Sequence, residues 1–310
     1  MSSQSIPRSS SNTTVEMDTS SQLLPGISDA HLALALPIIA YWTVSFIYHV
    51  IDTYDLLPQY RLHPSAEVAK KNRVGRWECL RDVLIQQILQ TAAGLLYIHL
   101  SPAEHVLNAE EGIEIWTLRF KTVQRVGSLL RPLGLDTSTH EDWEIQLASV
   151  VHHILYPALQ FVIAIAVIDT WQYFLHRLMH TSKWCYRTSH IRHHRLQAPY
   201  AYGALYNHPL EGFVGDTFGT GLAYFLSGMS TRQAMLLFTL ATTKTIDDHC
   251  GYDIPWDPFQ RLTSNNAHYH DIHHQSWGMK TNFAQPFSTF WDDLLGTRWV
   301  GSKKVKYAVA

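Results

Sequence analysis

Residues 158–180 read ALQFVIAIAVIDTWQYFLHRLMH, an apolar run that passes into a histidine pair, His176 and His180. Neither proline nor glycine interrupts it, so one helix can carry the chain out of an apolar layer and deliver imidazoles at its end. Continued past Ile168, that helix would set His176 about 12 Å beyond it, at about 1.5 Å per residue. Two further strings follow, His190-Ile-Arg-His193-His194 and His270-Asp-Ile-His273-His274. Positions i, i+3 and i+4 share one helical face, so each cluster is expected to aim its rings at a single point. Neutral imidazole suits iron, zinc, copper and nickel. One zinc takes four protein ligands in a structural site and usually three in a catalytic one. Eleven of the nineteen histidines lie between His176 and His274, enough for two metals.

Working outward, the apolar residues are concentrated, although mean hydropathy is near zero (−0.09). Residues 31–51 are long enough to cross roughly 30 Å of hydrocarbon. Residues 83–100 form a second candidate, weakened by Gln86, Gln87 and Gln90, and residues 145–168 a third, with a kink expected at Pro157. Residues 217–246 are mainly apolar but broken near Gly228-Met229-Ser230, which suits a helical hairpin. The expected fold class is therefore an all-α integral membrane protein. About four transmembrane helices, the hairpin included, would carry a cytosolic histidine-rich dimetal domain.

Four segments follow: a polar head (1–30) expected to be disordered, membrane-anchoring helices and loops (31–168), a histidine-box domain (169–300) and a basic tail (301–310). The head lacks a basic n-region and a cleavage site, so the first span is expected to be retained. Residues 113–133 could lie along the membrane surface or pack as an amphipathic helix on protein. Arg61, Lys70, Lys71, Arg73, Arg76 and Arg81 lie between the first two spans, whereas the basic residues after the second are diluted by acids. The positive-inside rule then puts the first loop, and with it the histidine clusters, in the cytosol.

Formal net charge is −2 and no basic stripe appears, so no nucleic-acid partner is indicated. Cys79, Cys185 and Cys250 are widely spaced, form no Cys-x-x-Cys pair and argue against a thiolate zinc site. Soluble di-iron bundles use Glu-x-x-His pairs, absent here. A histidine-rich transporter would hold its ligands mid-span, whereas these clusters follow spans or sit in loops. An all-imidazole two-metal site at a membrane surface suits O2 activation on an apolar substrate. Asp169, Glu211, Asp247, Asp248 and Asp271 are placed to accept the second imidazole N–H. Trp171, Trp277, Phe283, Phe287, Phe290 and Trp291 could line an apolar tunnel or anchor the chain at the interface.

Five strings carry a family resemblance: Asp169-Thr-Trp-Gln-Tyr-Phe-Leu-His176-Arg, Tyr202-Gly-Ala-Leu-Tyr-Asn-His208-Pro, Thr245-Ile-Asp-Asp-His249-Cys-Gly, Tyr269-His-Asp-Ile-His-His274-Gln, and Asn282-Phe-Ala-Gln-Pro-Phe with Trp291-Asp-Asp-Leu-Leu-Gly-Thr297. From residue 169 to 297 the chain resembles the membrane fatty acid hydroxylase superfamily, and within it the sphinganine C4-hydroxylases. The resemblance implies a di-iron, O2-dependent monooxygenase acting at C4 of sphinganine or dihydroceramide to give phytosphingosine-type bases. Its implied ligands are His176, His180, His190, His193, His194, His208, His249, His270, His273 and His274. His268 is left out of that set because it alternates with His270. Two iron ions are implied as cofactors. Electrons would come from NAD(P)H through cytochrome b5 and its reductase, since no nucleotide-binding motif occurs in the chain. The implied setting is the endoplasmic reticulum membrane, multi-pass among membrane lipids, with the site facing the cytosol. Sterol methyl oxidases, fatty acid 2-hydroxylases and sphingolipid desaturases on the same scaffold are the alternatives.

Overall fold

A computed structural model describes residues 22–101 and 150–301, with positions 121, 125 and 128 between them. Residues 1–21 of the polar head, the tail from residue 302 and, apart from those three positions, the 113–133 stretch lie outside the described residues. The described chain is helical and contains no strand. Its main elements are α1 (Asp29–Thr53), α2 (Ser65–Lys71), α3 (Arg76–Leu100), α4 (Tyr156–Thr181), α5 (Gly219–Ser227), α6 (Thr231–Asp248), α7 (Ala267–His274) and α8 (Phe290–Leu295).

Local chemistry sets the boundaries. The Ser28 hydroxyl accepts from the His31 N–H, and Asp29 adds a negative charge at the positive end of the α1 dipole. A capping box between Ser230 and Gln233 starts α6. One wide π turn, Val151–Leu155, leads into α4, and this is where the helix accommodates Pro157. Among the described residues three helices are long and apolar enough to cross a membrane: α1, α3 and His153–Thr181, which includes α4. Twenty-five residues of helix span about 38 Å, more than the roughly 30 Å of a hydrocarbon core. Their outward side chains, among them Ile39, Phe46, Ile88, Leu96 and Val162, stay exposed, as a lipid-facing surface requires.

The stretch 217–246 carries the helical hairpin expected from its break near Gly228. It turns at Gly228 in the left-handed region (φ 60°). Neither arm is among the three long apolar helices: α5 extends the helical stretch 209–218 by nine residues, and α6 carries Arg232, Lys244, Asp247 and Asp248. The hairpin packs α6 along α1 and α5 along α4, and it still turns Phe225, Leu226 and Leu236 outward. Lys244 is completely buried and is held by Asp248 one turn on.

Helix directions place the working end. At one end Asp29 pairs with Arg232 (2.6 Å), and at the other Tyr48 donates to Asp247 (3.2 Å), so α1 and α6 run parallel. Gln160 of α4 donates to the Gly228 carbonyl (2.5 Å) and accepts from Gln233 (2.9 Å), so α4 runs the same way. In α3, Gln87 accepts from Trp42 (2.9 Å) and Gly94 abuts Leu34, which makes α3 antiparallel to α1. The C-termini of α1, α4 and α6 and the N-terminus of α3 therefore meet at one end. Loops close that end, and the two halves of the sequence interlock there. Leu62 N–H donates to the Gly251 carbonyl (2.9 Å), and the Asn72 amide pairs both ways with Ala198 (2.8 and 2.9 Å).

Candidate metal centre

The C-terminal turns of α4 carry His176 and His180 on one face. Asp169, two turns earlier, accepts the backbone N–H groups of Phe287 and Ser288 (3.1 and 2.9 Å). That clamp seats the 283–288 segment against α4 and brings the Phe283 carbonyl to His176 Nδ1 (2.8 Å). Ser182 then breaks the helix, and the second histidine string follows as a π turn, Tyr186–His190, and a short 3-10 turn, His193–Arg195. Asn266 caps α7, accepting from Tyr269 N–H (2.9 Å), and α7 carries His270, His273 and His274. His249 is the C-cap of α6, and Gly251 beyond it has φ 81°, its backbone pressed against the Pro199 carbonyl.

Nine imidazoles converge in two groups. His176, His180, His190, His194 and His273 form one; His193, His249, His270 and His274 form the other. Within each group the candidate donor atoms all lie within 4.8 Å of one another. This corrects the expectation that each string aims at one point. The first string serves one group, but the second divides His190 and His194 from His193, and the third divides His273 from His270 and His274. On α7 the reason is helical: rings one full turn apart point the same way, whereas the ring between them projects to the side. The two strings thus bridge both groups.

Backbone carbonyls determine which nitrogen faces inward. His176, His193, His249, His273 and His274 place Nδ1 against the carbonyls of Phe283, Tyr206, Thr245, Thr281 and Leu196, at 2.7–3.1 Å. A carbonyl cannot donate, so each Nδ1 carries the hydrogen and each Nε2 presents a lone pair. Nε2 atoms then confront one another: His193 and His249 at 3.4 Å, with lone pairs on both sides, is no hydrogen bond. Other Nε2 pairs stand closer, His176–His190 at 3.1 Å, His194–His273 at 3.2 Å and His270–His274 at 3.0 Å. Nitrogens about 2.1 Å from one ion stand about 3.0 Å apart across a right-angled edge and about 3.4 Å across a tetrahedral one. The donor set fits two metal ions.

Electrostatics agree. Burial depresses the rings, to about 4 for His193 and about 3 for His249. His190, His194, His270, His273 and His274 fall well below the usual histidine range, through burial and then through neighbouring rings. The groups therefore offer neutral nitrogens at physiological pH.

Of the five carboxylates expected behind the rings, only Glu211 takes an imidazole of the two groups, His190 Nδ1 at 2.6 Å. Burial pushes its carboxyl up to about 8, with Asp216 adding to the effect. A cation on His190 would offset that cost, so carboxylate and metal are coupled. Glu211→Gln is expected to lower metal affinity about 10- to 100-fold, read by titration of the metal-depleted protein. Asp247 holds Tyr48 and Gln260, Asp248 holds Lys244 and Asn265, and Asp169 holds backbone. Asp271 binds a histidine that sequence reasoning missed: His63 Nε2 lies 2.7 Å away, and Lys71 donates to His63 Nδ1 (3.1 Å). An isolated histidine 208 positions from its partner carries no sequence signal.

His208 is the expected ligand that the fold leaves out of both groups. It N-caps the helix Pro209–Gly212, its Nδ1 accepting from Leu210 N–H (3.2 Å). The extended conformation imposed by Pro209 is what makes it a cap. A small cavity of about 50 Å³ touches both groups, lined by His176, His190, His193 and His249 with Gln172, Asn207, Glu211 and Asp216. None of the six aromatic residues expected around a tunnel lines it. Trp291 stacks on Tyr173 and donates to Thr170 (3.0 Å), Phe283 packs on the rings of His176, His180 and His273, and Phe290 is exposed.

Residues 161–297 match the fatty acid hydroxylase family model. The chain is 48% identical over 281 residues to the sphingolipid C4-hydroxylase of Saccharomyces cerevisiae, covering 90% of this chain and 74% of that protein. It is 40% identical over 271 residues to sphinganine C4-monooxygenase 2 of Arabidopsis thaliana, covering 87% and 88%. A protein of Oryza sativa subsp. indica named very-long-chain aldehyde decarbonylase is 38% identical over 271 residues, covering 87% and 89%. No solved structure matches. A helical membrane frame that ends in two imidazole groups is the architecture of a membrane-bound dimetal oxidoreductase. The chain belongs to the fatty acid hydroxylase family.

Proposed function

We propose that this chain is a sphinganine C4-monooxygenase, hydroxylating C4 of sphinganine or dihydroceramide to give phytosphingosine-type bases. The observation that carries the reading is a pair of all-imidazole groups sharing one cavity, in a chain whose relatives are named for C4 hydroxylation of this lipid class. His176, His180, His190, His194 and His273 would hold one iron and His193, His249, His270 and His274 the other. The five and four imidazoles of the two groups would supply neutral nitrogen donors to the two ions. The chemistry supplied there by bound iron is reduction of O2 with two electrons and two protons, one oxygen entering the C–H bond and the other leaving as water.

The chain's own residues supply the setting. Backbone carbonyls lock the ring tautomers, Glu211 orients His190, and buried walls exclude bulk water. Electrons reach the site from NAD(P)H through cytochrome b5, a role for which this sequence carries no nucleotide-binding motif of its own. The basic loop of Arg61, Lys70, Lys71 and Arg73 packs on the same end as the histidines, where Arg73 N–H donates to the Arg195 carbonyl (2.8 Å). By the positive-inside rule that end faces the cytosol, in the endoplasmic reticulum membrane. The relative named for aldehyde decarbonylation makes product identity the deciding test. Expression in cells that lack trihydroxy bases should restore them by lipid mass spectrometry. Oxidised sterol, 2-hydroxy acid, alkane or a new double bond as the sole product would refute C4 hydroxylation.

A further inference from the structure

The cavity beside the histidines has a polarity of its own. Two carboxylates, Glu211 and Asp216, line it, and no lysine or arginine does. Glu211 is 8% exposed, and its Oε2 has no hydrogen-bond partner. Asp216 sits in the π turn Phe213–Phe218, a wide turn of the kind that often marks a functional site. Gln172 of α4 donates to its Oδ1 (3.1 Å) and Gln86 of α3 to its Oδ2 (2.9 Å). Burial pushes its carboxyl up to about 6, while amide donors on both oxygens oppose that shift and fix its direction. Among the described residues no cationic side chain pairs with Asp216, so its charge is compensated by amides alone. A half-buried anion without a counter-charge carries a desolvation cost, and a site that retains one is suited to a cationic ligand.

We infer that Asp216 receives the protonated C2 amino group of a free long-chain base, resting on the C4 reading above. In sphinganine the carbon to be hydroxylated adjoins the hydroxyl-bearing C3, which adjoins the amine-bearing C2. The receptor for that head must therefore line the same cavity as the imidazoles, as Asp216 does. In dihydroceramide the nitrogen is acylated and uncharged, so Asp216 has no cation to bind. Asp216 is thus the residue that selects the free base over its N-acyl form. Glu211 is not the one to test, because it orients His190.

The experiment compares metal-loaded wild type, Asp216→Asn and Asp216→Glu on sphinganine and on short-chain dihydroceramide. Asp216→Asn should lower the ratio of kcat/KM for the free base to that for the amide about 10- to 100-fold, mainly through KM. Asp216→Glu, which keeps the charge, should retain most of that ratio, and metal content should match across all three. An equal fall on both substrates would overturn the assignment and leave Asp216 a structural residue. Direct binding of sphinganine to the same proteins separates this inference from the reading it rests on. Binding lost in Asp216→Asn, with no C4 product from wild type, would uphold the amine site and refute C4 hydroxylation. Binding equal in wild type and Asp216→Asn would refute the amine site.

Discussion

His249→Ala is expected to cost one metal ion per chain and to lower hydroxylation by at least about 100-fold, more than loss of an outer partner such as Glu211 costs. His249 belongs to no histidine string, yet its Nε2 lies 3.0 Å from His270 and 3.4 Å from His193 in the four-ring group. That group has the smaller set, so removing one ring leaves three, whereas the five-ring group keeps its full set. The Thr245 carbonyl would lose its Nδ1–H partner, a secondary effect confined to the end of α6. His268→Ala is the control. His268 lies two residues before His270 on α7, about 200° around the helix, and belongs to neither group. It should keep most of both metal and activity. Metal content by mass spectrometry of the two purified variants reads the difference, and the reverse pattern would mean that the inner ligands are misassigned.

Acidification with a chelator should have the second large effect. The buried rings titrate far below the value of about 6.5 that histidine has in an unfolded chain. Between those values the unfolded state binds more protons than the folded one, so stability is full above about pH 6.5 and falls as pH drops below it. Each ring contributes about 1.4 kcal/mol per pH unit in that window, and metal release adds proton competition for the same lone pairs. Several rings acting together are a sizeable share of a typical margin of about 5–15 kcal/mol. Detergent-solubilised protein moved from pH 7.5 to pH 5 with chelator should lose its metals and unfold at a markedly lower temperature. An unchanged melting temperature after full metal loss would show that the rings do not need a cation to face one another.

What could be read from the sequence followed from helical periodicity. The run 158–180 contains no breaker, and α4 continues through it to Thr181, so His176 and His180 stand where a continuous helix puts them. The third string is likewise helical in α7. The second is not, and only the fold shows that its middle ring turns toward the other group. The outer partners were illegible for a different reason: a carbonyl such as that of Phe283 or Leu196 has no side-chain signature. Carboxylates near the strings drew attention that Asp169, Asp247 and Asp248 spend on other contacts. The break near Gly228 was legible in the 217–246 stretch, and the hairpin turns there. His208 was read as a ligand from its motif, whereas the proline beside it makes the ring a helix cap.

The central claim is that the two imidazole groups support insertion of an oxygen atom from O2 at C4 of a long-chain base. The measurement that tests it most directly supplies isotopically heavy O2 to membranes containing this chain, with sphinganine, reductant and cytochrome b5, and analyses the base by mass spectrometry. The expected product is a trihydroxy base carrying one heavy oxygen, located at C4, with none from the His249→Ala protein. A product whose new oxygen comes from water, lies at another carbon, or forms equally without His249 would contradict it.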